Sequence, residues 1–582
     1  NVSLTYELTD WLDVMGRVGT DFYSEQRKHV EYNESIDFPD GFFWTRETFE
    51  QETNADLIFS ADKNITEDLE LNATAGANYR NVTYRTKYLS APELTVPNLF
   101  TIGNVKGNPS VSMNRSELET NSVFGSVSLG YKYFLYLDVT ARNDWSSTLP
   151  ADSWSYFYPS ASVSFIFTEI LNVDPTILSF GKVRGGWANV GNDTDPYQIV
   201  PTYIPSADPF NGIAQYYYQR QLPPFGLKPE DQQSIEFGVD LRFLNNRIGL
   251  DATYYDVTTE NQILGVNISP ASGFNSLLIN AGEITNTGVE ILLDAKIVDN
   301  PNGFNWDATI NWSTNKNQVE ELYGDLEAYQ LASSWGGLTI EARPGEEFGV
   351  IRGNGYARDD QGNILVNPAS GLRVTSPSPI DIGSITPDWI GGLRNSFSYR
   401  GLSLSVLIDA RMGGDLFSVT DWFGAYAGVS EESAEGDIRE NGIIQEGVYG
   451  SVDSEGSVTY LDANGNPTET PVQNDMPVAP QSYFSAYWGL QEASIIDGSY
   501  VKLREIVLSY DLPKRLVDEL GFLHNVNVSV IGRNLALLYV HESNDIGIDP
   551  ETGFGTSLSG LGLEQFQLPS TRSIGFKLRI SF

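Results

Sequence analysis

The sequence predicts an all-β protein, a transmembrane antiparallel β-barrel of about 17 strands with short periplasmic turns and long extracellular loops. The first observation is that apolar residues alternate with polar or small ones, with a period of two, at the carboxy-terminus. One side of this strand carries Ile574, Phe576, Leu578, Ile580 and Phe582, and the other carries Ser573, Gly575, Lys577, Arg579 and Ser581. The second is that the alternation recurs along the chain, as a barrel between lipid and a polar lumen requires. A soluble sheet could bury one such strand, but the repetition favours a membrane barrel.

The alternating stretches, taken in order, predict strands joined in pairs. They cover residues 11–23, 47–61, 67–87, 118–130, 134–145, 158–168, 179–188, 235–243, 248–254, 289–297, 304–312, 389–399, 402–410, 499–510, 526–538 and 572–582. Less regular stretches between them bring the expected total to about 17. The first residues, Asn1 to Leu4, already alternate, which leads us to expect further strands before this chain.

Short turns and long polar loops alternate between these strands. Tight turns are predicted at 62–64, 131–133, 245–246 and 400–401, whereas a loop is predicted from residue 24 to about Trp44 and others are much longer. Counting back from the last strand puts the short turns on the periplasmic side and the long loops outside. Aromatic residues near strand ends are typical of interfacial girdles, namely Trp11, Trp306, Trp312, Trp389, Tyr399 and Tyr510.

Composition excludes several classes of function. The formal net charge of −40, from 36 basic and 76 acidic residues, argues against a nucleic acid partner. The sequence has no cysteine, and its three histidines (His29, His524 and His541) lack ligand spacing. We find no run of 18 apolar residues, no Ser-His-Asp arrangement and no phosphate-binding glycine loop. An enzyme is therefore not expected.

Two acidic turns raise the question of a bound cation. Asp359-Asp360-Gln361-Gly362-Asn363 and Asp462-Ala463-Asn464-Gly465-Asn466 offer the oxygen ligands that Ca²⁺ prefers. Neither completes an EF-hand loop, and both are equally suited to the tip of a hairpin. We expect no cofactor, with loop-bound Ca²⁺ as the alternative.

Several motifs resemble the SusC/RagA family of TonB-dependent outer-membrane transporters of Bacteroidetes. The most specific is Arg142-Asn143-Asp144-Trp145-Ser146-Ser147-Thr148-Leu149-Pro150, followed by Ser155-Tyr156-Phe157-Tyr158-Pro159-Ser160. Others are Asn286-Thr287-Gly288-Val289-Glu290 and Asp497-Gly498-Ser499-Tyr500-Val501-Lys502-Leu503-Arg504-Glu505, and Leu568-Pro569-Ser570-Thr571-Arg572-Ser573 lies near the end. Their order and spacing hold across nearly the whole chain.

This resemblance implies a 22-stranded barrel in the outer membrane. About five strands, a plug and a TonB box are then expected outside residues 1–582, which would form a single barrel domain. It also implies active import of a large nutrient, with a SusD-like lipoprotein over the extracellular mouth and TonB-ExbB-ExbD acting through the plug. An oligosaccharide is the favoured ligand and an oligopeptide the next. The alternative is a structural subunit of a larger outer-membrane or secretion assembly.

Aromatic clusters in the predicted outer loops are the candidate ligand contacts, because aromatic faces stack on sugar rings. The candidates are Tyr216, Tyr217, Trp422, Phe423, Tyr426, Tyr487 and Trp488, with Trp422 and Trp488 preferred. Packing among the loops, or contact with a lid protein, is the alternative for each cluster. No catalytic or metal-binding residue is predicted.

Overall fold

The computed structural model describes residues 1–171, 173–206, 210–324, 326–519, 521, 523–554 and 561–582. Seventeen of its strands belong to one antiparallel sheet. In chain order they are β1 Val2–Thr9, β2 Leu12–Glu31, β3 Phe42–Thr66, β4 Leu69–Ala91, β5 Ser110–Tyr131, β6 Leu135–Ser146, β7 Ser155–Ile166, β8 Leu178–Asn192, β9 Glu230–Phe243, β10 Ile248–Glu260, β11 Glu283–Val298, β12 Phe304–Glu321, β13 Trp389–Tyr399, β14 Leu402–Met412, β15 Tyr500–Asp511, β16 Asn525–Val540 and β17 Ser573–Ser581. The predicted strand number is confirmed.

The chain divides into two compact units, and the first comprises residues 1–170, 183–236 and 258–282. Here β1 to β7 pair consecutively and antiparallel. One side of β6 carries Leu135, Leu137 and Val139, which are 37%, 42% and 43% exposed. Since no part of the described chain covers them, this is the apolar outer face that the alternation predicted.

Strands β2 to β5 are 20 to 25 residues long, about twice the 9–11 residues that cross a bilayer. On β4 the outer face is apolar or small from Leu71 to Tyr79 and then becomes polar at Asn81 and Arg85. Beyond that point the sheet continues into water. The sequence prediction placed a loop at residues 24–44, whereas β2 continues to Glu31 and β3 begins at Phe42. That prediction was wrong because the strand pattern stays paired after the apolar residues end.

The second unit comprises residues 171–182, 237–257 and 283–582. Strands β11 to β17 again pair consecutively. On β17, Ile574, Phe576 and Leu578 are 70%, 81% and 62% exposed, so they are not packed in a soluble core. The main hydrophobic cluster of this unit lies instead among its long connections, around Leu338, Ile340, Ile351, Phe417, Val419, Trp422 and Leu563.

Most predicted tight turns are confirmed, and their backbone explains the residues found there. Lys132 and Tyr133, Asn245 and Asn246, and Arg400 with Gly401 all have positive φ angles, which are typical of tight hairpin turns. The turn predicted at 62–64 was wrong. Lys63 pairs with Leu71 inside the ladder, and the chain reverses between Thr66 and Leu69. Polar residues at 62–64 resemble a turn but continue the strand.

The α-helices of the described residues are few and short. They are α1 Val419–Tyr426, α2 Ile438–Asn441, α3 Pro480–Ala486 and α4 Lys514–Asp518. No helix in the described ranges has the length and apolar character needed to cross a membrane. The first three lie in the long connection between β14 and β15, where most of the predicted ligand contacts are found.

Candidate functional site

Helix α1 is the centre of the candidate site, and a buried carboxylate anchors its beginning. Ser418 caps the helix, because its hydroxyl accepts a hydrogen bond from the backbone N–H of Asp421 at 3.0 Å. Glu564, only 2% exposed, accepts bonds from the Ser418 hydroxyl at 2.7 Å and from the Thr420 hydroxyl at 2.7 Å. The Thr420 N–H donates to the same carboxylate at 3.2 Å. A residue 144 positions from Thr420 along the chain therefore sets the start of the helix.

Trp422 is the internal support of α1. It is fully buried, and its indole Nε1 donates to the carbonyl oxygen of Tyr487 at 2.5 Å. Its ring stacks on Trp488 with centroids 4.7 Å apart and an interplanar angle of 13°. Gly336 allows this packing, because a Cβ there would lie 3.2 Å from the Trp422 ring and 2.3 Å from Gln491 Nε2. In this structure Trp422 presents no face to a ligand.

Five aromatic side chains around α1 form an accessible surface that we call the aromatic platform: Trp335, Phe423, Tyr426, Trp488 and Phe566. Four of them are between 44% and 58% exposed, and Phe423 is partly exposed at their centre. Phe423 meets Trp335 at 5.3 Å, Trp488 at 5.5 Å and Phe566 at 5.6 Å, in edge-to-face contacts. Such contacts fix ring orientations while leaving ring faces free.

An acidic and phenolic cluster lies beside the platform. The hydroxyls of Tyr483 and Tyr487 both donate to the carboxylate of Glu432 at 3.3 Å. Burial raises the pKa of Glu432 and raises the pKa of Tyr483 to about 12. Burial also raises the pKa of Asp421, on α1, to about 6. These groups offer hydrogen bonds next to apolar ring faces, a combination that suits a ligand with both kinds of surface.

The structure brings five of the seven sequence candidates together. Around α1, Trp422 contacts Phe423, Tyr487 and Trp488, and Trp488 also contacts Tyr426. Tyr216 and Tyr217 belong to the first unit, in a short strand Tyr216–Tyr218 paired with Tyr203–Pro205, and are 64% and 49% exposed. Sequence reasoning missed Trp335 and Phe566, because they lie far from α1 along the chain and in no local aromatic cluster.

The two acidic turns are hairpin tips whose carboxylates already have hydrogen-bond partners. Asp359 accepts from the N–H groups of Gln361 and Asn363 at 2.9 and 2.8 Å, and from the Tyr460 hydroxyl at 2.9 Å. Asp462 accepts from the N–H groups of Asn464 and Asn466 at 2.8 and 2.9 Å. Among the described residues no group of three or more histidine, aspartate or glutamate side chains is arranged to hold a metal ion.

Taken together, the exposed apolar faces and the paired strands define an outer-membrane β-barrel protein. Residues 1–430 match the family described as "TonB dependent receptor-like, beta-barrel". The chain belongs to this family of TonB-dependent receptor barrels, and it is an outer-membrane protein with strands that cross the bilayer. The family is one of transporters and receptors and is not an enzyme family.

Two curated relatives and one solved structure illustrate the similarity. TonB-dependent receptor P26 of Formosa agariphila is 26% identical over 559 residues, which cover 89% of this chain and 52% of P26. TonB-dependent receptor P3 of the same organism is 23% identical over 514 residues, covering 82% of this chain and 47% of P3. The chain therefore spans about half the length of these relatives.

The structure of the RagAB peptide importer in its "closed-closed" state is similar in fold. It superposes with a TM-score of 0.74 at 19% identity, covering 99% of this chain and 61% of the matched chain. At this identity the similarity concerns the fold alone, and it agrees with the barrel predicted from the alternating strands.

Proposed function

We propose that this chain is the barrel portion of a TonB-dependent importer that takes up a large nutrient ligand, with an oligosaccharide as the favoured class. The observation that carries the proposal is the aromatic platform, in which exposed rings are held at fixed angles by a buried tryptophan and a buried carboxylate. A sugar ring has an apolar face that stacks on such rings and hydroxyls that bind nearby polar groups.

The platform contacts in this proposal are Phe423, Tyr426 and Trp488, joined by Trp335 and Phe566. Tyr487 and Glu432 would offer hydrogen bonds at the edge of the platform. Trp422 would position Trp488 by stacking on the ring face that is not exposed. Tyr216 and Tyr217 remain separate candidates in the first unit. A SusD-like lipoprotein would enclose the ligand from outside, and TonB with ExbB and ExbD would supply energy through a plug.

The experiment measures oligosaccharide binding by the full-length transporter purified with its lipoprotein partner. Trp488→Ala and Tyr426→Ala each remove an exposed ring, so we expect affinity to fall about ten-fold for each. Tyr323→Ala is the matched control, because Tyr323 is 55% exposed and lies outside the platform. Mass spectrometry of the co-purified ligand identifies its class independently.

Three outcomes contradict parts of the proposal. Recovery of peptides in place of glycans, with the same dependence on Trp488, would keep import and replace the ligand class. Unchanged affinity in both platform variants would remove the platform from the binding site. Stoichiometric recovery with secretion or assembly proteins, without ligand, would favour the structural subunit.

A further inference from the structure

An apolar groove crosses the exposed outer face of β2 to β6 in the first unit. Its floor is made by Ala61, Ala73 and Ala75, and its walls by Leu12, Phe59 and Val127. The cavity volume is about 500 Å³. By strand register it continues into a second depression of about 640 Å³ beside Leu57, Ala77 and Val123. Together the two depressions follow the height of the apolar band.

The protein's own packing does not require this space. A Cβ added at Gly16, in the second depression, would meet no atom within 4 Å. Larger apolar side chains are favoured both in strands and on lipid-facing surfaces. The free volume is therefore available to a molecule outside the chain, and in the apolar band of an outer-membrane barrel the surrounding solvent is lipid.

The periplasmic end of the groove carries a cation without an internal counter-charge. Lys63 lies on the same face, two residues along β3 from Ala61, and its Nζ sits 4.7 Å from the centre of the Trp11 ring. No carboxylate of the described chain forms an ion pair with Lys63. Lys132, at a neighbouring turn, differs because its Nζ lies 3.4 Å from Asp68. Lysine and tryptophan at a membrane boundary are typical of contact with lipid headgroups.

We propose that this groove is a binding site for one phospholipid of the periplasmic leaflet. An acyl chain lies along Ala73 and Ala75 between the walls of Leu12 and Phe59. The phosphate of the same molecule contacts the ammonium group of Lys63, which Trp11 holds at the boundary. The inference goes beyond import, because it assigns the lipid face a specific ligand that does not enter the transport path.

Charge complementarity favours a phospholipid over a second copy of this chain. A protein surface that covered the groove would also have to place a carboxylate against Lys63, because a buried cation without a partner is costly. A phospholipid supplies both the apolar chain that fills the groove and the anionic group that pairs with the lysine. Contact between copies is therefore an outcome that the test must be able to detect.

The experiment uses the full-length protein reconstituted in vesicles of digalactosyldiacylglycerol, a bilayer lipid without a phosphate group. The vesicles contain a trace of phosphatidylethanolamine with a photoreactive diazirine on its acyl chain. After illumination, mass spectrometry measures the label on peptides of β3 to β5. Lys63→Gln should lower labelling about five-fold, because a lysine at the membrane surface contributes about that factor. The double substitution Ala73→Leu and Ala75→Leu fills the groove without adding a polar group. It should lower the labelling at least as much as Lys63→Gln does.

Matched controls separate site binding from general contact with lipid. Lys132→Gln removes a boundary lysine that already has a carboxylate partner, and Val163→Leu enlarges an exposed apolar residue of β7 outside the groove. Both should label like the unsubstituted protein. Diacylglycerol carrying the same photoreactive chain has no phosphate to contact Lys63. Its labelling of the unsubstituted protein should therefore be as weak as the labelling of Lys63→Gln by the phospholipid.

The proposal is overturned by equal labelling with diacylglycerol, by no effect of Lys63→Gln, or by cross-links between two copies through the groove. Circular dichroism of each variant confirms that the strands are retained. Failure of this test leaves the proposed import function untouched, because no platform residue takes part in it.

Discussion

The indole of Trp422 stacks on that of Trp488 at 4.7 Å, with one ring fully buried and the other 44% exposed. The two rings therefore have different roles although they are in contact. Trp422 belongs to the core that supports α1, whereas Trp488 offers its outer face. This division allows the support and the binding surface to be tested separately.

In Trp422→Ala, the segment around α1 should open more easily than in the unsubstituted protein. Removing a buried aromatic side chain costs about 3–5 kcal/mol, and the hydrogen bond to Tyr487 is lost as well. Hydrogen exchange of the α1 amides measures this free energy of local opening. Trp488→Ala is the control and should cost about 1 kcal/mol, since its ring is half exposed. Equal effects of the two substitutions would contradict the division of roles.

Glu564→Gln should loosen the beginning of α1 without unfolding the barrel. The carboxylate accepts three hydrogen bonds from Ser418 and Thr420, and an amide replaces one acceptor oxygen with a donor. A mismatch at a buried site of this kind costs about 1–3 kcal/mol. Hydrogen exchange at the Thr420 and Asp421 amides should accelerate accordingly. The exposed Glu440→Gln serves as control, and unchanged exchange in Glu564→Gln would show that the anchor is dispensable.

Strand positions could be predicted from sequence where one face of the strand is apolar and the other is polar along its whole length. β13 was predicted at its observed limits, 389–399, and its turn at Arg400-Gly401 requires the positive φ angles found there. The end of β2 could not be predicted, because beyond the apolar band its residues from Ser24 to His29 are polar on both faces and resemble a loop. Cross-strand hydrogen bonding, which a single strand's sequence does not reveal, decides where this strand ends.

Only those residues of the site that lie in local aromatic clusters of the sequence were predicted. Aromatic pairs such as Trp422-Phe423 and Tyr487-Trp488 stand out in the chain, and the structure brings them together. Their burial could not be predicted, because a helix of eight residues has no apolar stripe long enough to show which side faces the core. Trp335 and Phe566 join the platform through tertiary packing alone.

Asp421→Asn should stabilise the α1 region at neutral pH and not at acidic pH. Burial, with the nearby charge of Asp545, raises the pKa of Asp421 from 3.8 to about 6. Because the folded pKa lies above the unfolded one, the ionised form is disfavoured in the fold. The contribution of Asp421 to the free energy of local opening is therefore most favourable below pH 3.8. It is lost as the pH rises from 3.8 through about 6.

The expected gain for Asp421→Asn at pH 7 is roughly 2 kcal/mol, since partial exposure screens part of the effect. Local opening measured by hydrogen exchange at several pH values checks it. Asp437→Asn, at the start of α2, is the control. A pH profile that is the same with and without the substitution would mean that Asp421 is not the titrating group.

Removal of divalent cations should leave the turn at Asp359 unchanged. Its carboxylate oxygens accept hydrogen bonds from Gln361, Asn363 and Tyr460, and these donors also lower its pKa although burial opposes the shift. A bound Ca²⁺ would have to displace them. Hydrogen exchange of residues 359–363 should therefore be equal in EDTA and in millimolar Ca²⁺. Protection that depends on Ca²⁺ would instead establish the cation site that the sequence left open.

Lys502→Met should release the segment around Asp549 and Glu551 from β15. The Lys502 side chain is 3% exposed, and its Nζ lies 2.5 Å from a carboxylate oxygen of each residue. Burial alone would raise the pKa of both carboxyl groups, but hydrogen bonds from Lys502 and Ser570 lower the pKa of Asp549, and hydrogen bonds from Arg504 and Lys502 lower the pKa of Glu551. Their contribution to stability is therefore present at neutral pH and is lost as pH falls through those lowered values.

Without Lys502, Asp549 keeps only the hydrogen bond from Ser570 among its side-chain partners, and Glu551 keeps its ion pair with Arg504. The expected cost is therefore about 3 kcal/mol, the lower end of the range for a broken buried pair. Limited proteolysis and hydrogen exchange of residues 544–553 should show this segment opening in Lys502→Met at neutral pH. Lys577→Met, on the exposed strand β17, should behave like the unsubstituted protein. If Lys502→Met opens no more than that control, the ion pairs of Lys502 do not hold the segment, and its attachment depends on the remaining contacts, among them the ion pair between Arg504 and Glu551 at 3.0 Å.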